Sequence, residues 1–261
     1  MRCLIVIPAR HASTRYPGKP LVPLRGPDGT KTLIRRSWEA AMEVPGVAGV
    51  IVATDDARIA DHAEGFGAEV AMTSDACRNG TERVAEAVAG RAVDLVVNLQ
   101  GDAPLTPPWF VTALIEAMAA GDGADLATPV IRCDAATLAM FRADRKAGRV
   151  GGTTAVFDRA GQALYFSKEV IPWLPEGDPP DPIPVFHHVG LYAYRPAALA
   201  AYSGWPVGPL EALEGLEQLR FLENGHRIAC VPVDPHGRVF WELNNPVDVE
   251  RIEAALVTRR G

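Results

Sequence analysis

Cys3 to Ile7 is a short apolar run that stops at Pro8, the pattern of a strand buried on both faces. Thr32 to Val44 carries apolar residues at helical spacing. Gly49 to Thr54 repeats the strand pattern and is closed by Asp55-Asp56; Ala57 to Phe66 reads as a helix and Glu69 to Met72 as a third strand. Asn79-Gly80 marks a turn, with Thr81 placed as the cap of a helix from Glu82 to about Ala89. Asp94 to Leu99 is a fourth strand, ended by Gln100-Gly101-Asp102, and Trp109 to Ala119 a further helix. Strand and helix alternate over the first ~125 residues, which predicts a mostly parallel, Rossmann-like α/β sheet with helices on both faces. Ligands in such sheets sit beyond the carboxyl ends of strands. That singles out the loops from Pro8 onward, at Thr54-Asp55 and at Gln100-Gly101-Asp102.

The rhythm changes in the second half. Gly151 to Asp158, Ala163 to Ser167 and Val185 to Tyr194 read as strands joined by Pro/Gly-rich connections, a smaller mixed β region. The proline-rich, acidic stretch Leu174 to Pro184 predicts an exposed loop. Pro209 to Asn224 returns to one helix, which would set Glu211 and Gln218 two turns apart on one face. Arg227 to Val233 reads as a strand, and Pro246 to Val257 as a final helix opened by proline. The whole chain, 1–261, is read as one domain whose rhythm changes at about residue 125.

The bulk numbers narrow the choice of function. A chain of 261 residues, 48% hydrophobic and 22% charged, builds its core without staples. The formal net charge of −6 argues against a nucleic-acid surface, so any anionic ligand needs a local basic cluster. Cys3, Cys77, Cys133 and Cys230 are scattered with no CxxC pair, against a zinc site or a disulfide scaffold. No apolar run nears 18 residues, which argues against a membrane span and for a cytoplasmic protein.

The basic cluster is Pro8 to Pro20. It gathers Arg10, Arg15 and Lys19 in one loop after the first strand, with hydroxyls at Ser13 and Thr14 and a flexible Gly18. Arginine forks and a lysine point charge suit adjacent phosphates. The loop matches neither GxGxxG nor a Walker A sequence.

This loop resembles the nucleotide-binding signature of the sugar-acid cytidylyltransferases, most closely the 3-deoxy-manno-octulosonate (Kdo) cytidylyltransferase, or CMP-Kdo synthetase, family. The likeness recurs in order at Arg78-Asn79-Gly80-Thr81-Glu82-Arg83, Asn98 to Asp102, Ala163 to Lys168, Ile171-Pro172-Trp173, His188 to Arg195, and Pro209 to Arg220. It implies the fold of the nucleotide-diphospho-sugar transferases. It implies CTP held by Ala9, Arg10, Ser13, Arg15, Lys19, Arg78, Gly80 and Thr81, with Lys19, Asp102 and Arg10 as the catalytic set. Mg²⁺ would be held by Asp102 and Asn244. The acceptor, a small acidic sugar such as Kdo, would meet Gln100, Lys168, His188, Glu211 and Gln218. His187 has no counterpart in the resemblance. Tyr165, Trp173 and Trp205 are read as packing residues. The resemblance also implies a nucleotide-binding half, about 1–125, and an acceptor-binding and dimerisation half, about 126–261, through which a homodimer forms.

Three departures qualify the likeness. The family's QGDEP reads Gln100-Gly101-Asp102-Ala103-Pro104 here. Its VDTPEDL, whose first Asp completes the metal site, reads Leu243-Asn244-Asn245-Pro246-Val247-Asp248-Val249. A lysine-bearing strand becomes Gly151 to Val156. All three touch the metal or the acceptor and leave the triphosphate loop intact. A different acceptor, such as a nonulosonic acid or a phosphonate, a CTP-binding protein without turnover, and use of another NTP therefore stay open.

Overall fold

A computed structural model describes residues 1–12, 16–121, 123–149, 152–175, 177–238 and 241–258. In chain order these form β1 (Cys3–Ala9), β2 (Pro23–Gly26), β3 (Gly29–Thr32), α1 (Leu33–Met42), β4 (Gly49–Thr54), α2 (Ala57–Gly65), β5 (Glu69–Met72), α3 (Gly80–Ala87), β6 (Leu95–Leu99) and α4 (Pro108–Ala120). Then come β7 (Leu126–Arg132), α5 (Ala135–Lys146), β8 (Thr153–Phe157), β9 (Ala163–Ser167), β10 (Phe186–His188), β11 (Leu191–Tyr194), α6 (Pro196–Tyr202), α7 (Pro209–Glu214), α8 (Gln218–Glu223), β12 (Ile228–Pro232) and α9 (Asp248–Thr258).

One ten-stranded sheet runs β5-β4-β1-β6-β11-β7-β10-β8-β9, with β12 attached to β7; β2 and β3 pair as a separate hairpin. The four strands of the first half are mutually parallel. β11 then enters antiparallel to both β6 and β7. β10 continues its line, antiparallel to β7 and β8. The break between β10 and β11, at Val189-Gly190, is where the sheet changes partner from β8 to β6.

Alternation along the strands sends side chains to two cores, as a sheet covered on both faces requires. Ile5, Ile7, Val52 and Val97 pack into one with α1, α2 and α4. Val6, Ala53, Val96 and Tyr194 pack into the other with α3, α6 and α8. A third cluster joins Leu24 of the hairpin, Leu33, Leu105, Leu243 and Ile252 of α9. It fastens the chain's last segment against the loop after β6.

Several elements differ from the sequence expectation. Thr81 is not the cap of α3: Asn79 is, its side chain accepting from Glu82 N at 2.8 Å, and Thr81 lies inside the helix. The span 209–224 is two helices, because Gly215 adopts φ 61 and ends α7. The last helix begins at Asp248, whose carboxylate collects the amides of Asn244 and Asn245. The β2-β3 hairpin, β7 and α5 carried no signal that the periodicity resolved; β7 holds a proline at position 129, which argues against a strand by pattern alone. Trp173, expected to pack, is 81% exposed, whereas Tyr165 and Trp205 do pack against the second core.

Candidate active site

Three loops converge at the carboxyl ends of β1 and β6. A Cβ on Gly101 would stand 2.7 Å from the carbonyl oxygen of Pro8, so only glycine lets the loop after β6 lie against the loop after β1. Gly80, at the start of α3, faces Pro8 and the Gln100 amide, each about van der Waals distance from where its Cβ would be. Ser37 Oγ of α1 donates to Gly101 O at 3.0 Å and holds the junction from below.

These loops enclose a cavity of about 350 Å³ lined by Ala9, Arg10, Lys19, Arg78, Gly80, Arg83, Gln100, Asp102 and Glu217. The amino end of α3 opens on it with a dipole that favours an anion, while its Thr81 and Glu82 amides are held by Glu217 and Asn79. Gly18, with φ 69, turns the chain so that Lys19 follows into a short 3₁₀ turn, and its N–H donates to His11 O at 2.9 Å. Lys19 Nζ then reaches Asp102 Oδ2 at 2.5 Å, both side chains largely buried. Arg83 is fixed by Asp55 at 2.8 Å and by Thr73. Arg10 is exposed at the rim.

Glu217 closes the inner wall. Its Oε2 accepts from Thr81 N at 3.1 Å and Thr81 Oγ1 at 2.7 Å, at the amino end of α3. Burial raises its pKa, against the lowering effect of those donors. Arg78 is paired with Glu82, whose Oε1 lies 2.5 Å from Nη2, and its side chain is 55% exposed. It therefore lines the cavity already paired with Glu82 of the helix that follows it.

A second cavity of about 540 Å³ lies beside the break between β10 and β11, lined among others by Arg132, Thr153, His187, His188, Gly190, Tyr192, Glu242 and Asn244. Gly190 on its wall approaches Gln100 on the wall of the first, so the two cavities meet there. His188 is 5% exposed; its Nδ1 bonds Thr153 Oγ1 at 3.0 Å and its Nε2 is buried without a hydrogen-bond partner. Burial, with the neighbouring His187, pushes the His188 pKa down to about 3. Burial alone takes His187 to about 4. Both imidazoles are thus neutral at physiological pH. Tyr192 donates to Gln218 Oε1 at 3.1 Å, and Gln218 Nε2 and Asn98 Nδ2 are further buried donors without partners. Burial raises the Tyr192 pKa, with Tyr194 and the charges of Glu217 and Glu242 adding to it.

The structure thus brings together Ala9, Arg10, Lys19, Arg78, Gly80, Gln100 and Asp102 in the first cavity and His188 and Asn244 in the second. Thr81 stands just behind the first wall, held by Glu217. Ser13 and Arg15 lie outside the described residues. His187, which the resemblance left without a role, shares the second cavity.

Glu211 lines neither cavity. It forms a buried ion pair with Arg220, Nη2 and Nε at 2.6 and 2.5 Å, and takes the Tyr202 hydroxyl at 3.3 Å. The kink at Gly215 also removes it from the helix face of Gln218. Gln218 touches the second cavity only through Tyr192. Lys168 lines neither cavity; its backbone N–H donates to Glu214 Oε2 at 2.9 Å and its ammonium lies over Gly215.

Residues that motif reading missed are Arg83, Glu217, Tyr192 and Glu242. Glu217 lies in the same motif as Glu211, and the break at Gly215 between them is what sets Glu217, not Glu211, on the cavity wall. Ala103, where the family's acid would stand, is buried in the turn after Gln100.

The oxygen-donor set suits a hard divalent cation: the Asp102 carboxylate and the Asn244 amide, leaving positions for phosphate and water. Leu243 N donates to Asp102 O at 2.8 Å, which carries the Asn244 segment alongside Asp102.

A parallel α/β sheet with a basic loop after its first strand, an acid after β6 and a helix amino end between them defines a nucleotide-binding transferase site. A family model described as cytidylyltransferase matches residues 4–228. The chain is 45% identical to a 3-deoxy-manno-octulosonate cytidylyltransferase of Maricaulis maris over 98% of this chain and 97% of that one. It is 39% identical to one of Zea mays, over 99% and 82%. A solved CMP:2-keto-3-deoxy-manno-octonic acid synthetase complexed with CTP superposes with a TM-score of 0.84 at 33% identity, covering 97% of this chain and 98% of that one. The chain belongs to the 3-deoxy-manno-octulosonate cytidylyltransferase family.

Proposed function

We infer that this protein transfers CMP from CTP to Kdo, releasing pyrophosphate. The observation that carries the reading is the junction of two cavities at Gln100 and Gly190, one rimmed by cations and a helix amino end, the other by neutral imidazole, amide and hydroxyl groups together with Arg132, Arg238 and Glu242. In the reaction the anomeric hydroxyl oxygen of the acceptor bonds to the α-phosphorus, and the bond from that phosphorus to the bridging oxygen breaks. Pyrophosphate leaves with the electron pair, and the hydroxyl proton passes to solvent. Positioning and charge neutralisation dominate such a transfer.

Arg10 and Lys19 neutralise phosphate oxygens, and the dipole at the amino end of α3 adds to the positive potential there. Lys19 exchanges Asp102 for phosphate when the nucleotide enters, which frees the carboxylate. Gln100 at the seam orients the acceptor hydroxyl. Magnesium held by Asp102, with Asn244 as a neutral second donor, would lower the phosphate charge and polarise the α-phosphoryl group. One carboxylate instead of two makes the triphosphate itself a larger share of the metal's ligands.

Exposed apolar side chains on β9 and α7, Leu164 at 63% and Leu213 at 83%, support a homodimer through the second half. Sedimentation at two concentrations checks it. No helix among the described residues is long and apolar enough to cross a membrane; a cytoplasmic location belongs to the same reading. The test of function is pyrophosphate release from CTP with Mg²⁺ and a panel of acceptors: Kdo, a nonulosonic acid and a small phosphonate. Release with Kdo above the others supports the reading, and release with another acceptor alone replaces the substrate. Folded protein that binds CTP and turns over nothing would make it a binding protein.

A further inference from the structure

Glu242 belongs to no motif, yet the structure sets its carboxylate at the seam between the cavities. Glu242 and Asn244, two apart, both line the second cavity, with Trp241 beside them. Leu243 between them points the other way, fully buried in the third core cluster. The segment is pinned at three places: Leu243 N to Asp102 O at 2.8 Å, Trp241 Nε1 to Asp248 Oδ1 at 2.9 Å, and Asn244 N to Asp248 Oδ2 at 3.0 Å. A Cβ on Gly190 would stand 3.2 Å from Glu242 Oε1 and 4.0 Å from Gln100 Cγ. The bare glycine gives the carboxylate its place beside the glutamine that faces the triphosphate cavity.

We propose that Glu242 is a specificity-determining residue of the acceptor cavity, its carboxylate accepting hydrogen bonds from hydroxyl groups of the sugar acid; this rests on the reading that the second cavity holds the acceptor. An ionised carboxylate only accepts hydrogen bonds. It therefore recognises the polyhydroxylated part of the molecule and repels its acid group. Arg132 and Arg238 on the same cavity provide guanidinium groups suited to that acid, and His188 Nε2 is a buried polar atom still without a partner. A hydroxyl-bearing acid thus finds a carboxylate for its hydroxyls and cations for its charge, and enters in one orientation.

The experiment compares wild type, Glu242→Gln and Glu242→Asp at saturating CTP and Mg²⁺ with Kdo varied, alongside calorimetric binding of CTP and Mg²⁺ to each protein without acceptor. A hydrogen bond to a charged group is worth about tenfold or more in affinity. Glu242→Gln is expected to raise the acceptor KM at least tenfold, change kcat less than threefold and leave CTP and Mg²⁺ affinity within twofold. Glu242→Asp recovers part of the loss. Equal melting temperatures establish that the variants are folded. An unchanged acceptor KM in folded Glu242→Gln overturns the proposal while the function stands. A parallel loss of Mg²⁺ or CTP affinity also overturns it, because it moves the carboxylate to the donor side. Wild type that turns over no Kdo fails the functional reading itself and the proposal with it.

Discussion

Glu211→Gln separates a structural carboxylate from a substrate contact. Glu211 and Arg220 form a pair with side chains 8% and 1% exposed. Arg220 is also 3.3 Å from Glu82 and stacks at 4.1 Å over the Tyr202 ring. Its pKa is held above the ordinary arginine value, first by the Glu211 hydrogen bond. Breaking a buried pair by removing one partner costs about 3–5 kcal/mol, because the remaining charge cannot return to water. Glu82 and Tyr202 still attend Arg220, so the lower end, about 3 kcal/mol, applies. For a chain of this size each kcal/mol moves the melting temperature by roughly 2–3 °C, giving a fall of about 6–9 °C. Thermal melting followed by circular dichroism reads that shift, and pyrophosphate release reads the KM for acceptor, expected within twofold of wild type below the transition. A variant that melts within about 2 °C of wild type and raises the acceptor KM tenfold would refute the assignment and return Glu211 to the acceptor site.

Other outcomes follow from the same geometry. Lys19→Ala removes a phosphate contact and is expected to raise the CTP KM more than tenfold; nucleotide titration checks it. Gly101→Ala forces a methyl group against Pro8 O, and overpacking of that kind costs about 1–3 kcal/mol, read as lower melting together with weakened CTP binding. Burial lowers the His188 pKa from 6.5 to about 3 on folding. The unfolded chain therefore takes the proton first, and this stability is full above about pH 6.5 and is lost as pH falls toward 3. At pH 5 the loss is about 2 kcal/mol, and His188→Gln should flatten the pH dependence of melting between 7 and 5. Asn244→Asp restores a second carboxylate and should tighten Mn²⁺ binding severalfold in a paramagnetic titration with CTP present; unchanged binding would remove Asn244 from the metal's surroundings.

The parts of the fold legible in the sequence were those whose burial is uniform. β1, β4 and β6 are buried on both faces, so a continuous apolar run sufficed, and the loops after them followed by rule. β7 contains Pro129, and the β2-β3 hairpin buries little besides Leu24, so neither left a readable pattern. The first cavity was legible because Arg10, Lys19, Gly80 and Asp102 lie at strand and helix ends, which sequence order places. The acceptor side depends on how the second half crosses back over the first. Glu211 and Gln218 looked equivalent on one helix, and a single left-handed residue, Gly215, separated them. Glu242 was invisible for a similar reason: the tertiary bonds of its segment, Leu243 N to Asp102 O among them, bring it to the seam.

The most direct test is the mass and phosphorus spectrum of the product formed from CTP, Kdo and Mg²⁺. The account predicts equimolar pyrophosphate and a CMP-linked sugar acid with one phosphodiester phosphorus. Release of orthophosphate with CDP, or pyrophosphate with free CMP and unaltered Kdo, would contradict it.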